Sequence, residues 1–201
     1  MTSPSALFYD AVLSLSERRG MRARRRALLG ATSGRVLEIG AGTGLNLPHY
    51  PAAVTQLVLA EPDERMRSLL DRRAARAGVR TVDAPAERLP FPDAHFDYVV
   101  STLVLCTVDD LSASLAEIRR VLAPGGRLLF VEHIRAASPR LARWHDRLHA
   151  PWRVFAEGCR CNQPTLSLLA EGGLRVERLE RARWRGMPFV VAPLVYGKAA
   201  P

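Results

Sequence analysis

Residues 36–44 have the sequence VLEIGAGTG, and the rest of the chain is organised around this stretch. Its apolar beginning predicts a buried strand, and its end predicts a turn with three alternate glycines, Gly40, Gly42 and Gly44. Glycine tolerates positive φ angles and has no Cβ, so such a turn lets backbone amides approach a ligand closely. The stretch therefore predicts a site for an adenosine- or phosphate-sized ligand at the end of a strand.

The composition is that of an ordinary globular protein. The chain has 201 residues, of which 48% are hydrophobic and 24% are charged, and this predicts one domain over residues 1–201. The formal net charge is +9, and its cations are almost all arginines because Lys198 is the single lysine. An arginine bias reflects genomic composition as much as a polyanionic partner, so nucleic-acid binding is not favoured.

The cysteines and the N-terminus favour a cytoplasmic protein. Cys106, Cys159 and Cys161 are odd in number, which argues against a closed disulfide framework, and their spacing does not match a four-ligand zinc site. We therefore expect no metal site. The longest apolar run, residues 98–108, is shorter than the roughly 20 residues of a membrane span. Residues 1–4 lack the basic and apolar parts of a secretory signal.

The first 30 residues predict a helical cap that Gly20 divides into two helices. An apolar face is expected from these residues: Leu7, Phe8, Val12, Leu13, Leu15, Leu28 and Leu29. An arginine cluster crowds the middle of the segment: Arg18, Arg19, Arg22, Arg24, Arg25 and Arg26. We expect this cluster to be a solvated helix face, and the alternative is a contact with a membrane surface or a phosphate.

Strands and helices alternate regularly after the cap. Strands are predicted at residues 36–39, 56–60, 79–82, 96–105 and 127–131, and helices after Pro48, up to Gly78 and at 111–122. Irregular helices are expected at 139–158 and a helix at 164–171, before a hairpin of residues 174–179 and 189–196. The pattern predicts an α/β fold with a doubly wound, mostly parallel, seven-stranded Rossmann-like sheet and a C-terminal antiparallel hairpin.

The glycine spacing weakens a dinucleotide site. That pattern needs a third glycine where this chain has Leu45, so a nicotinamide oxidoreductase is not expected. Glu61, about 20 residues further on, is placed to accept hydrogen bonds from an adenosine ribose. Both cofactor classes need that contact, so Glu61 does not discriminate between them.

Further blocks carry a family resemblance. They are residues 61–66 (EPDERM), 86–91 (AERLPF), 96–101 (FDYVVS) and 117–127 (EIRRVLAPGGR). With the glycine turn they resemble the class I S-adenosylmethionine-dependent methyltransferases over about residues 34–134. Residues 102–108 (TLVLCTV), 131–133 (VEH) and 152–159 (WRVFAEGC) resemble the small-molecule thiol methyltransferase-like branch, and the central blocks more distantly resemble the quinone-biosynthesis C-methyltransferases.

The resemblance implies S-adenosylmethionine as cofactor, with Glu61 on the ribose and Met66 and Leu103 around the adenine. The implied cofactor site consists of Tyr9, Glu38, Gly40, Ala41, Gly42, Thr43, Gly44, Asn46, Glu61, Pro62, Met66, Ala86, Glu87, Thr102 and Leu103. Pro85 is a departure, because the superfamily often has an acidic residue there for the adenine amine. Structural roles are the alternatives for Glu38, which orients the turn, and for Tyr9 and Met66, which pack in a core.

His133 is the catalytic candidate, because it follows a parallel strand at the edge where such sheets bind ligands and its imidazole titrates near neutral pH. The alternative is a histidine that is hydrogen-bonded to a neighbouring loop. His145 and His149 are four residues apart, but two ligands without a third are weak evidence for a metal. Residues 135–165 are predicted to insert at the acceptor site, with Cys106, Trp152, Phe155 and Cys159 as acceptor-binding residues; core packing is their alternative.

The expected reaction is methyl transfer to a small, fairly apolar nucleophile. A thiol is favoured by the branch resemblance, and a phenol or a quinone carbon stays open. The alternative from another class is a non-catalytic module that docks on RNA or an anionic membrane through its arginine-rich face. The enzyme is expected to act as a monomer or a homodimer on a small-molecule acceptor, with peripheral membrane contact left open.

Overall fold

A computed structural model describes residues 4–156 and 158–201, with side chains from Tyr9 onward apart from residue 157. In this part of the chain seven strands form one sheet in the order β3-β2-β1-β4-β5-β7-β6. The strands are β1 Gly34–Ile39, β2 Val54–Ala60, β3 Arg80–Val82, β4 Phe96–Thr102, β5 Leu122–His133, β6 Arg175–Arg183 and β7 Pro193–Ala200. β1 to β5 pair in parallel, and β7 is antiparallel to both β5 and β6. The predicted fold class is confirmed.

Six α-helices cover the sheet in the described part of the chain. They are α1 Pro4–Ser16, α2 Arg22–Leu29, α3 Glu64–Ala77, α4 Leu111–Val121, α5 Pro139–Phe155 and α6 Thr165–Glu171. Their ends follow ordinary capping chemistry: the Asp63 carboxylate accepts from the first amides of α3, and Gly78 ends that helix at φ +67°. No described helix combines the length and the apolar character that crossing a bilayer requires.

The cap confirms the predicted division at Gly20. A π-helical turn, Glu17–Met21, joins α1 to α2, and Gly20 lies in it at φ +122°. The arginine cluster is mostly solvent-exposed as predicted, but Arg25 is buried and pairs with Glu17 at 3.0 Å. Two open cavities of about 460 and 400 Å³ lie on this arginine-rich side, and neither is lined by the glycine turn.

The predicted apolar face of the cap is partly wrong. Leu13 and Leu29 are buried, whereas Val12 and Leu15 are 47% and 42% exposed. The buried positions instead include Met21, which the π-helical turn rotates into the interior. Leu7 and Phe8 lie outside the side chains that the structure describes.

The helix predicted after Pro48 is absent. A single 3₁₀ turn, Leu47–His49, follows the glycine turn, and β2 begins at Val54. The connection is too short for an α-helix, and Pro51 lacks the amide that a longer helix would need. Tyr50 lies in this connection, and its hydroxyl donates a hydrogen bond to Glu38 at the end of β1.

Two other boundaries differ from the prediction. The apolar run that begins at Phe96 leaves the sheet after Thr102, because Leu103 takes a positive φ of +63° and turns the chain. The segment expected to form irregular helices is one 17-residue helix, α5, which continues through Pro151. Ala142 and His145 are its buried residues.

An apolar cluster gathers the cap, the loop after β4 and the C-terminal part of the chain. Leu13 and Met21 meet Cys106, Cys159 and Cys161 there, and Trp184, Val190, Val191 and Leu194 from the hairpin region complete it. Because parallel strands end at one edge, this cluster lies beside the carboxyl ends of β4 and β5. The cluster therefore forms one wall of the edge at which a ligand is expected.

Candidate cofactor and acceptor site

The glycine turn has the backbone that its sequence requires. Gly40, Gly42 and Gly44 have φ angles of +54°, +57° and +87°, a region that side chains disfavour. A Cβ at Gly40 would lie 2.6 Å from Val104, and one at Gly44 would lie 2.9 Å from Leu70. A Cβ at Gly42 would meet nothing within 4 Å. Gly40 and Gly44 thus serve packing, while Gly42 borders open space that a ligand can enter.

Glu61 lies beside that open space at the end of β2. One carboxylate oxygen accepts the Gly42 amide at 2.7 Å, and the other accepts the Asp63 amide at 2.9 Å. Burial raises the pKa of Glu61, while these two amide hydrogen bonds act in the opposite direction. The structure therefore brings the predicted ribose acid next to the glycine that faces the ligand space.

Glu38 lies at the centre of a buried polar network under the turn. Its carboxylate accepts from Asn46 Nδ2 at 3.0 Å and from the Tyr50 hydroxyl at 2.6 Å. Asn46 in turn accepts from Arg25 at 2.8 Å and donates to Thr102 Oγ1 at 3.0 Å. Burial raises the pKa of Glu38 to about 7. These contacts hold Glu38 under the turn, and its contact with the cofactor stays a prediction.

A second set of contacts holds α1 against the turn. Asp10 accepts from Thr43 Oγ1 at 2.5 Å and from Arg73 at 2.7 Å. Arg73 also donates to the Thr43 carbonyl at 2.7 Å. Asp10 was absent from the sequence-predicted site, because a lone acidic residue on an amphipathic helix gives no signal of the partner that it meets in the fold.

The predicted adenine side is only partly assembled around ligand space. Met66 packs with Leu69 outside the main core, and Leu103 is half-buried across from it at the end of β4. Ala86 is buried, and Pro62 is exposed. Glu87 turns away from this side, because its carboxylate accepts the amides of Asp109 and Asp110 at 2.8 and 3.2 Å.

Tyr9 points its hydroxyl into the same edge from the cap. Although 38% of the residue is exposed, protein surrounds its hydroxyl and raises its pKa to about 12, and the nearby Cys106 and Glu61 act in the same direction. The hydroxyl thus lies near groups of both the cofactor side and the cysteine side. The contact between Tyr9 and the ligand stays a prediction.

His133 meets two cysteines at the carboxyl end of β5. Its Nε2 lies 2.8 Å from the Cys159 sulfur, and Cys106 lies close enough that the three ligand atoms are within 4.8 Å of one another. Trp152 Nε1 donates to the Cys159 sulfur at 3.2 Å. Hydrogen bonds from Cys106 and from His133 lower the pKa of Cys159 well below its usual range, while the same pairing and burial raise that of Cys106.

The other candidates of the acceptor segment are dispersed. Phe155 is 77% exposed at the end of α5, and its ring lies 5.6 Å from that of Trp152 at an angle of 47°. Its contact with an acceptor stays a prediction. His145 is buried and accepts the Ala136 amide at 3.4 Å. Within the described residues neither His145 nor His149 joins a group of three metal-ligating side chains.

The comparisons with known proteins agree with this geometry. A family model described as a methyltransferase domain matches residues 37–130. The human thiol S-methyltransferase TMT1B is 32% identical over 207 aligned residues, covering 94% of this chain and 83% of that protein. The chain belongs to the class I S-adenosylmethionine-dependent methyltransferases.

Two further relatives extend the comparison. The ubiquinone/menaquinone biosynthesis C-methyltransferase UbiE of Ectopseudomonas mendocina is 39% identical to this methyltransferase over 120 residues, covering 56% of this chain and 46% of that protein. The structure of geranyl diphosphate methyltransferase in complex with S-adenosylmethionine matches with a TM-score of 0.70 at 17% identity, over 90% of this chain and 86% of that chain. The latter likeness concerns the fold alone.

The residues present in this methyltransferase fit its cofactor. The space in front of Gly42 is free of neighbouring atoms, and the Glu61 carboxylate borders it from the next strand. An adenosine with a charged methionine portion needs both features: a close approach to backbone amides and a carboxylate for the ribose. The sequence predicted Gly42 and Glu61 individually as site residues, but it did not predict that Cys106, His133 and Cys159 meet.

Proposed function

We propose that this methyltransferase transfers the methyl group of S-adenosylmethionine to the sulfur of a small, fairly apolar thiol. The relative TMT1B, which is named a thiol S-methyltransferase, supports this acceptor because the similarity runs over most of both chains. The observation that carries the proposal is the contact between His133 Nε2 and the Cys159 sulfur at the cofactor edge of the sheet. A site that already holds a sulfur against an imidazole suits an acceptor of the same chemistry.

On the cofactor side, the roles follow from the contacts. We assign the ribose hydroxyls to Glu61 and the methionine portion to the backbone of Gly40, Ala41, Gly42 and Thr43. Glu38 and Asn46 hold the turn from below rather than through direct contact with the cofactor. When bound, S-adenosylmethionine supplies an activated methyl group on a sulfonium, so the protein's task is proximity, orientation and exclusion of water.

On the acceptor side, the lining is apolar. Leu103 and Trp152 are half-buried and pack against the cluster that contains Cys106 and Cys159. This lining favours a small, fairly apolar acceptor. An apolar lining also raises the reactivity of a thiolate, since it removes the water that would otherwise solvate the charge.

We propose His133 as the catalytic residue. The acceptor would lose its thiol proton to the His133 side, and bound S-adenosylmethionine would supply the methyl group that the acceptor sulfur takes up. The products are a thioether and S-adenosylhomocysteine. An imidazole suits this task because its protonation equilibrium lies near neutral pH.

A panel of acceptors tests the proposed function. The purified chain is incubated with S-adenosylmethionine and one of an alkanethiol, a phenol, a quinol or a primary amine, and S-adenosylhomocysteine is measured. We expect the thiol to give the highest kcat/KM. Preferential methylation of the phenol or the quinol would reject the thiol and keep the enzyme class, whereas no turnover with any acceptor would count against a small-molecule acceptor altogether.

A further inference from the structure

Cys106, His133 and Cys159 form a buried group that the proposed reaction does not by itself explain. They come from three separate parts of the chain: the loop after β4, the end of β5 and the loop after α5. Cys106 and His133 are 1% exposed and Cys159 is 8% exposed, and their ligand atoms lie within 4.8 Å of one another. Two thiols and an imidazole rarely converge in an interior without a common partner, because each is a strong metal ligand.

We propose that Cys106 Sγ, Cys159 Sγ and His133 Nε2 bind one Zn²⁺ ion. With zinc bonds of about 2.3 Å to sulfur and about 2.0–2.1 Å to nitrogen, tetrahedral geometry places the ligand atoms about 3.5–3.8 Å apart. In the structure His133 Nε2 lies 2.8 Å from the Cys159 sulfur, and all three ligand atoms lie within 4.8 Å of one another. Small side-chain rotations are enough to accommodate the ion.

The charge and the donor atoms favour zinc over harder cations. Two thiolates balance the charge of a divalent ion, so the loaded site is neutral and suited to a buried position. Sulfur and imidazole donors favour zinc over magnesium or calcium, which prefer oxygen ligands. The indole N–H of Trp152 donates to the Cys159 sulfur at 3.2 Å, so it would orient this ligand without contacting the metal itself.

Three protein ligands leave a fourth position open, as in catalytic rather than structural zinc sites. Cys106 lies next to the end of β4, where its thiol donates to the Leu103 carbonyl at 3.7 Å, and Leu103 is one of the residues assigned to the cofactor side. Resting on the proposed function, we infer that the acceptor sulfur occupies this position. There the acceptor thiol would lose its proton to solvent as its sulfur joins the metal, and in the zinc-loaded protein His133 would be a ligand in place of the proton acceptor described above.

Metal content tests the site independently of activity. The full chain, freed of any histidine tag and kept reduced with a phosphine, is incubated with Zn²⁺, passed through gel filtration and measured by mass spectrometry of the metal. We expect about one zinc per chain for the wild type, loss to background in Cys106→Ser and Cys159→Ser, and retention in Cys161→Ser. Cys161 is the matched control, because it is also buried but its thiol donates to the His145 carbonyl. A wild-type chain without zinc overturns the proposal whether or not the variants fold.

Cobalt tests the open position. In the Co²⁺-loaded chain we expect thiolate-to-cobalt charge-transfer absorption, and a change in the visible bands when an alkanethiol is added without S-adenosylmethionine. Visible bands that do not change when the alkanethiol is added would reject the acceptor role of the metal. A metal-free chain that still methylates thiols would refute the acceptor role of the metal and keep the proposed function. A zinc-loaded chain that binds thiol without methylating it would refute the proposed function and keep the zinc site.

Discussion

At the scale of single residues, Gly40 and Gly42 show that similar backbone angles serve different purposes. Their φ angles are +54° and +57°, so a side chain at either position is strained to a similar degree. Only Gly40 is enclosed, with Val104 2.6 Å from the place of a Cβ. Packing therefore requires glycine at position 40, whereas ligand binding requires it at position 42.

We predict different outcomes for Gly40→Ala and Gly42→Val. Gly42→Val should keep the fold at a cost of about 1–2 kcal/mol from the positive φ, while it abolishes cofactor binding by filling the ligand space. Gly40→Ala should lose a further ~1–3 kcal/mol through the clash with Val104. Chemical denaturation and calorimetric titration with S-adenosylhomocysteine check both. Retained affinity in Gly42→Val would refute the placement of the cofactor.

His133→Ala should lower turnover far more than cofactor affinity. The side chain lies with Cys159 at the acceptor end rather than at Gly42 or Glu61, so we expect kcat to fall about 100-fold or more, with the Kd for S-adenosylhomocysteine changed less than about threefold. His95→Ala is the control, because His95 lies before the amino end of β4 and stacks on Phe96. The opposite pattern, in which binding weakens and turnover persists, would reassign His133.

Glu38 makes stability depend on pH. Burial raises its pKa in the folded state from 4.5 to about 7, so between these values the folded state holds more protons than the unfolded state. The free energy of unfolding therefore falls as pH rises from about 4.5 to about 7, by an amount on the order of 3 kcal/mol.

The substitution Glu38→Gln should reduce this fall in urea denaturation series at several pH values, since the new amide can donate to the Tyr50 hydroxyl. Part of the fall should remain, because burial also raises the pKa of Glu132 to about 7. Tyr50→Phe removes a hydrogen bond that lowers the pKa of Glu38, so it should extend the fall to higher pH. Equal pH slopes in wild type and Glu38→Gln would contradict the buried carboxyl as their cause.

At the scale of elements, α1 is part of the binding site through a few polar contacts. Asp10 joins Thr43 of the glycine turn to Arg73 of α3, and Arg25 of α2 reaches Asn46 below the turn. These contacts couple the position of the cap to the conformation of the glycine turn. Its ends are anchored, whereas Val12 and Leu15 remain exposed between the anchors.

Removing the Asp10 anchor should loosen α1 and weaken cofactor binding. We expect Asp10→Ala to reduce the affinity for S-adenosylhomocysteine about 3- to 10-fold, which corresponds to about 1 kcal/mol for a partly exposed charged contact. Hydrogen exchange should accelerate in α1 and not in β4. Arg178→Ala, which breaks an exposed pair with Glu180 on β6, is the control and should change neither measurement.

At the scale of the whole molecule, cofactor binding should stabilise the fold. A ligand that binds only the folded state adds RT ln(1 + [L]/Kd), about 2.7 kcal/mol at 100 times Kd. We expect S-adenosylmethionine and S-adenosylhomocysteine to raise Tm and NADH to leave it unchanged, because Leu45 occupies the position of the third dinucleotide glycine. A rise in Tm with NADH alone would contradict the assignment of the glycine turn to S-adenosylmethionine.

The strands of the sheet and the glycine turn could be predicted from the sequence because both depend on local patterns. Apolar runs and capping residues mark each strand and helix, and the turn itself requires glycine. The prediction of a helix after Pro48 was wrong, because the sequence pattern did not reveal that the Tyr50 hydroxyl donates a hydrogen bond to Glu38. The meeting of Cys106, His133 and Cys159 could not be predicted, because it depends on how α5 brings its following loop back to the sheet.

Strand β7 has a consequence for the synthesis of the chain. It follows β6 in sequence but lies between β5 and β6, so β6 reaches the sheet only through β7. While the ribosome has yet to release Pro193–Ala200, the outer edge of β5 keeps unpaired amides and carbonyls, which can template aggregation. Strand β7 therefore joins the sheet after β1 to β6 are already made, and a nascent chain that stalls before it leaves that edge exposed.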